Sequence, residues 1–123
     1  MTEAWSPRTL DEALALRAAH PEATVVAGGT DLMVGVNFGR TAPESLLDLS
    51  HVSALQAWAR DDELVAVGAG VTFARMPGEL DDLTALAEAA ATVGSPQIRN
   101  RATLGGNIVT ASPAGDGIAA LAA

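Results

Sequence analysis

Two pairs of adjacent glycines, Gly28-Gly29 and Gly105-Gly106, constrain this chain more than any other feature. The first pair follows the β-branched run Thr24-Val25-Val26-Ala27 and leads into Thr30-Asp31-Leu32. That order reads as a buried strand turning sharply into a helix, where consecutive backbone N–H groups can receive an anion. Glycine suits the turn because a Cβ would hold a phosphate away from the main chain. The second pair sits in Ala102-Thr103-Leu104-Gly105-Gly106-Asn107-Ile108-Val109-Thr110-Ala111-Ser112-Pro113-Ala114-Gly115-Asp116. There Thr103 and Asn107 can donate to phosphate, and the carboxylate of Asp116 can accept from ligand hydroxyls or amides. Taken singly, each loop has a plainer explanation. The first is also an ordinary strand-to-helix turn capped by Asp31, and the second a long loop that needs glycine to bend. Two such loops in 123 residues are harder to dismiss.

Charge decides how these glycines are to be read. The chain carries 7 basic against 15 acidic residues, a net charge of -8, and no lysine at all. A nucleic-acid module needs a cationic face, and Trp5, Phe38, Trp58 and Phe73 are too scattered to stack bases. A phosphorylated ligand would therefore have to be held mostly by backbone N–H groups. The absence of cysteine excludes disulfides, thiolate metal sites and iron–sulfur ligation within this chain. A 49% hydrophobic composition is too high for a disordered polymer, and no run approaches the length of a membrane span. MTEAWSPRTL is not a secretory signal, so a cytoplasmic location is expected.

The local patterns predict a mixed chain. Thr9 and Glu12 form a capping box ahead of Leu10, Ala13, Leu14 and Ala18, and His20-Pro21 stops that helix. Thr30 to Val34 opens a short helix limited by Gly35 and Gly39, and Leu46 to Leu49 is a second strand. Trp58 to Arg60 and Leu64 to Val67 suggest a hairpin through Asp61-Asp62. Leu83, Leu86, Ala87, Ala90 and Ala91 have helical spacing, ended by Gly94 and Ser95-Pro96. From Gln97 to Asp116 no period holds for long. Asp116 is then expected to cap a final helix.

Other candidate sites fail on inspection. Gly68-Ala69-Gly70 begins like a dinucleotide fingerprint but has Phe73 where the third glycine belongs. A Walker loop requires lysine. His20 and His51 have no second ligand at metal spacing, and Asp61-Asp62-Glu63 reads as a solvated turn. No nucleophile elbow or convincing acid–base pair is present, so the chemistry must belong to a cofactor.

Together the two loops resemble the FAD-binding domain of molybdenum hydroxylases, the family that includes flavin subunits of bacterial carbon monoxide and xanthine dehydrogenases. The likeness rests on Val26-Ala27-Gly28-Gly29-Thr30-Asp31-Leu32 and on Thr103-Leu104-Gly105-Gly106-Asn107 with Ala111 to Asp116. Ser95-Pro96-Gln97-Ile98-Arg99-Asn100-Arg101 matches the family's approach to the second loop. The resemblance implies an α+β, two-subdomain FAD-binding fold of the molybdopterin dehydrogenase flavin subunit, here incomplete at the C-terminus. Residues 1–56 would form a parallel βαβ subdomain and 57–123 the start of a second, mixed-sheet subdomain. FAD would lie between them. Gly28, Gly29 and Thr30 would hold its pyrophosphate from one side, with Val26, Ala27, Asp31 and Leu32 in contact range. Thr103, Leu104, Gly105, Gly106 and Asn107 would face it from the other, and Asp116 would hydrogen-bond it. The implied partners are an iron–sulfur small subunit, a molybdenum-cofactor large subunit and the remainder of the flavin subunit itself. Electrons would pass through FAD to NAD, a quinone or oxygen. The alternatives are a non-catalytic remnant used in subunit assembly, and a flavin-linked oxidase or reductase with its own substrate site.

Overall fold

A computed structural model describes residues 3–39, 42–111 and 115–123, except for the side chains of Asp31 and Val34. Ser112, Pro113 and Ala114 of the second-loop motif therefore lie outside the described residues.

The first helix starts where its capping box predicts. Thr9 Oγ1 accepts the N–H of Glu12 at 3.2 Å, while Glu12 Oε2 accepts the N–H of Thr9 at 3.4 Å. Helix α1 spans Leu10–Ala19 and follows a short strand, β1 (Glu3–Trp5), that the sequence pattern does not reveal. Strand β2 (Thr24–Val26), helix α2 (Thr30–Asn37) and strand β3 (Ser45–Asp48) complete this half. The three strands are parallel in the order β1-β3-β2, with Ala4 and Thr24 both aligned on Leu46. Only the middle strand is deeply covered, and Leu47 is 2% exposed. The expectation that Thr24 to Ala27 forms a buried strand is corrected accordingly. β2 is an edge strand, and Val25 is 48% exposed because no further strand flanks it among the described residues.

The predicted hairpin is present as β4 (Trp58–Arg60) and β5 (Val65–Val67). Asp61 fixes its turn by accepting the N–H groups of Glu63 and Leu64 at 2.8 and 2.7 Å, a side-chain substitute for a Gly-containing turn. Two backbone bonds tie this hairpin to a 3₁₀ turn at Ser53–Gln56: Gly68 N–H to Ala57 O and Gly70 N–H to Leu55 O, both 2.8 Å. A second 3₁₀ turn, Phe73–Arg75, runs into the short helix α3 (Met76–Glu79). Helix α4 (Thr84–Thr92) buries Leu86, Ala87 and Ala90 as the spacing predicts, while Ala91 is exposed. Around it Val71, Phe73, Met76, Leu80, Val93, Ala102 and Leu104 form the main core. Phe73 and Met76 are fully buried, and packing of this kind contributes roughly 2–3 kcal/mol per large side chain.

The stretch after Gln97, which shows no period in the sequence, is helical. Ser95 caps α5 (Pro96–Arg101), with Pro96 preset at its first position. Thr103 caps α6 (Leu104–Thr110) by accepting the N–H of Gly106 at 3.1 Å. At six and seven residues these helices are too short for an apolar period to emerge. Helix α7 (Asp116–Ala122) packs on α4 and α6. Its cap is Gly115, so Asp116 occupies the first helical turn and not the cap position, contrary to expectation. The side chain of Asn107 takes over that task, accepting the N–H of Gly117 at 3.1 Å. Among the described residues no helix is long and apolar enough to cross a membrane.

Candidate functional site

The fold brings the two glycine loops into direct contact. Gly28 lies so close to the second loop that a Cβ on it would fall 2.1 Å from the carbonyl oxygen of Arg101. The Arg101 side chain returns the contact, donating from Nε to Gly28 O at 3.1 Å. Beside Gly28, Gly29 takes a left-handed φ of 76°, which lets the chain turn from β2 into α2 across the three residues between them. The first N–H groups of α2 have no acceptor within the helix, as at any helix start.

The four glycines thus serve different ends. Gly28 permits a main-chain contact and Gly29 supplies a conformation. Gly105 is also packed against backbone: a Cβ there would sit 2.7 Å from Ala69 Cβ and 2.8 Å from Ala69 O. Gly106 is the open one, since a Cβ would meet only Thr103 Oγ1, at 3.0 Å.

Between the loops lies a cleft of about 320 Å³. From the first half it is lined by Val25, Val26, Ala27, Gly28, Gly29, Thr30 and Leu32. From the second it is lined by Phe73, Val93, Ile98, Ala102, Thr103, Gly106, Asn107, Val109 and Thr110. None of these side chains is charged. Of the thirteen residues expected at the site, nine line the cleft. Leu104 is buried in the core, Gly105 faces Ala69, and Asp116 is exposed at the start of α7 and does not line the cleft. The side chain of Asp31 is not among those described. Sequence reasoning does not find Val25, Phe73, Val93, Ile98, Ala102, Val109 and Thr110. Val109 and Thr110 follow one turn beyond Gly106 on α6, a position visible only once that segment is known to be helical.

Hydrogen bonding restricts what the second loop can offer. The N–H groups of Leu104, Gly105 and Asn107 donate to Val71 O, Ala69 O and Thr103 O at 3.0, 2.9 and 3.1 Å. Gly106 N–H is taken by Thr103 Oγ1. The second loop therefore contributes shape and side-chain groups, chiefly the Thr103 hydroxyl proton and the Asn107 amide, while the start of α2 contributes backbone N–H groups. Among the described residues no cation lines the cleft, and Arg99 Nη1 donates to Val93 O and Gly94 O, at 3.1 and 3.3 Å. A second cavity of about 420 Å³ shares Ala27, Gly28 and Thr103 with the cleft and includes Asp48, His51, Arg75 and Arg101.

The whole chain, residues 1–123, matches the family model described as the FAD binding domain in molybdopterin dehydrogenase. The chain belongs to that family. It is 36% identical to the nicotinate dehydrogenase FAD-subunit of Eubacterium barkeri over 97% of this chain and 42% of that protein. It is 31% identical to the carbon monoxide dehydrogenase medium chain of Hydrogenophaga pseudoflava, over 93% of this chain and 41% of the relative. The fold superimposes on a solved carbon monoxide dehydrogenase from that organism with a TM-score of 0.86 and 30% identity, covering 94% of this chain and 42% of the other. Quinoline 2-oxidoreductase of Pseudomonas putida gives a TM-score of 0.78 at 31% identity, covering 88% and 39%. The chain thus spans about two-fifths of the length of the relatives it matches. Its cofactor is FAD, its fold is the α+β FAD-binding fold of that family, and its relatives are oxidoreductase subunits.

The residues present fit such a cofactor. A pyrophosphate needs a cradle that a side chain would fill, and Gly106 leaves that space open. It also needs donors that tolerate an acidic protein, and helix-start N–H groups meet that need without a cation.

Proposed function

We propose that this chain grips the FAD of a molybdenum hydroxylase flavin subunit, with the pyrophosphate between α2 and α6. The observation that carries this reading is a cleft with no charged side chain among the described residues, open at Gly106 and bordered by the start of α2. In this assignment Gly29, Thr30 and Leu32 offer backbone N–H groups, with Asp31 beside them. Val26, Ala27 and Gly28 form the floor on the β2 side. Thr103 and Asn107 donate from side chains, and Gly106 gives close approach. Leu104 and Gly105 act indirectly, by seating α6 on Val71 and Ala69. Ile98 and Val109 supply apolar surface that excludes water from whichever part of the cofactor lies over them.

The chemistry supplied at this site is that of the bound flavin, one- and two-electron transfer. The protein's part is to bind, orient and shield. We assign residues 1–56 and 57–123 to two subdomains that share the cofactor, in a cytoplasmic complex. An iron–sulfur subunit would deliver electrons from a molybdenum-cofactor subunit, and NAD, a quinone or oxygen would receive them. The names of the relatives support a dehydrogenase subunit of this kind. The test is the visible spectrum and flavin-to-polypeptide ratio of the protein purified with co-expressed partner subunits. Stoichiometric flavin that is reduced when the complex receives substrate is expected. A colourless protein that cannot be reconstituted with FAD would refute the proposal and favour an assembly role.

A further inference from the structure

We propose that Arg101 is a positioning residue that aims the first glycine loop at its nucleotide, acting through a hydrogen bond and not as a cation on phosphate. The contact is two-sided. The main chain of Arg101 abuts the Cα of Gly28, and its side chain folds back so that Nε donates to Gly28 O at 3.1 Å. A peptide unit is planar and trans, so the carbonyl of Gly28 and the N–H of Gly29 point in opposite directions. Holding that carbonyl toward Arg101 turns the Gly29 N–H away from Arg101. Gly29 and Thr30 line the cleft, whereas Arg101 lines only the second cavity. The clamp therefore fixes which way the donors at the start of α2 face, while keeping its own charge out of the cleft. It also joins residues 73 positions apart in sequence, so the two loops cannot drift independently.

The proposal rests on the nucleotide reading above for its ligand, but the clamp itself is measurable without one. Two variants separate hydrogen bond from charge. In Arg101→Gln the amide nitrogen stands the same number of bonds from Cα as Nε, which keeps the donor and removes the charge. Arg101→Met keeps the apolar stem and removes both. Backbone hydrogen exchange of residues 26–32 is measured on the intact flavin-free protein, and affinities for FAD, ADP and riboflavin are measured by titration. Arg101→Met should speed exchange in that segment and weaken FAD and ADP about three- to tenfold, the scale of one solvent-exposed hydrogen bond. Riboflavin, which has no pyrophosphate, should bind as in the wild type, and the thermal midpoint should hold. Arg101→Gln should resemble the wild type in every readout. Loss of FAD and ADP affinity in Arg101→Gln equal to that in Arg101→Met would overturn the clamp in favour of direct charge. Unchanged exchange in Arg101→Met would overturn it outright. If the wild type binds neither FAD nor ADP, the nucleotide reading fails, and the exchange comparison alone decides the clamp.

Discussion

Gly105 and Gly106 are neighbours in one helix, yet alanine at each should fail in opposite ways. Both lie inside α6, where alanine is favoured over glycine by about 1 kcal/mol on backbone grounds. At Gly105 that gain is overwhelmed. The new Cβ would lie 2.7 Å from Ala69 Cβ and 2.8 Å from Ala69 O, close to an ångström inside ordinary contact. The obstacle cannot rotate away, because Ala69 O also accepts the N–H of Gly105 at 2.9 Å. Overpacking of roughly 1–3 kcal/mol, plus about 1 kcal/mol for the strained hydrogen bond, leaves Gly105→Ala about 1–3 kcal/mol less stable. For a chain of this size the thermal midpoint should fall by roughly 4–12 °C. At Gly106 the Cβ meets only Thr103 Oγ1 at 3.0 Å, and a shift of a few tenths of an ångström offsets the propensity gain. Stability should stay within about 0.5 kcal/mol of wild type, but the methyl group enters the cleft and flavin affinity should fall at least about tenfold. Gly106→Val should carry no flavin. The assay pairs thermal unfolding of flavin-free protein with flavin titration. A Gly106→Ala protein with full flavin affinity would refute the cleft assignment, and a Gly105→Ala protein as stable as wild type would refute the steric reasoning.

Three further outcomes follow from the electrostatics and the helix ends. FAD affinity should depend weakly on sodium chloride, since no charged side chain lines the cleft among the described residues and Arg99 and Arg101 are turned to backbone carbonyls; a steep loss between low and high salt in a flavin titration would contradict this. Glu79, hydrogen-bonded by Arg75 and then by Trp58 Nε1, has its pKa drawn from 4.5 down to about 2. A depressed carboxylate stabilises the fold above pH 4.5 and loses that effect as the pH falls toward 2, so Glu79→Gln should flatten the acid limb of unfolding in that window. Ala111 ends α6 with a left-handed φ of 52°, so Ala111→Gly should raise stability by about 0.5–1 kcal/mol in thermal unfolding.

Features written in a few adjacent residues are legible in the amino-acid sequence. The capping box at Thr9, the hairpin at Asp61 and the apolar face of α4 all depend on neighbours within one or two turns. The glycine pairs are legible as loops for the same reason. What they do is not, because Gly28 answers to Arg101 and Gly105 to Ala69, far away in sequence. Strand β1 is hidden because three residues show no alternation and it exists only through its pairing with β3. Val25 reads as core because β-branched runs usually are, yet edge position overrides composition. Asp116 reads as a cap by residue type, but Asn107 is the side chain that takes the α7 N–H.

At two places where the halves of the molecule meet, there is no side chain to trim. The atoms facing Gly28 belong to the Arg101 carbonyl and Ala102 Cα, and those facing Gly68 to the carbonyls of Leu55 and Ala57. In an ordinary core a bulky replacement can be rescued by shrinking whatever it strikes. Here the thing struck is main chain, which every amino acid shares. Suppressor screens against Gly28 or Gly68 substitutions should therefore return revertants at the same codon and few second-site changes. A homologue that has lost one of these glycines must have moved its backbone, and an alignment of sequences alone would not show how.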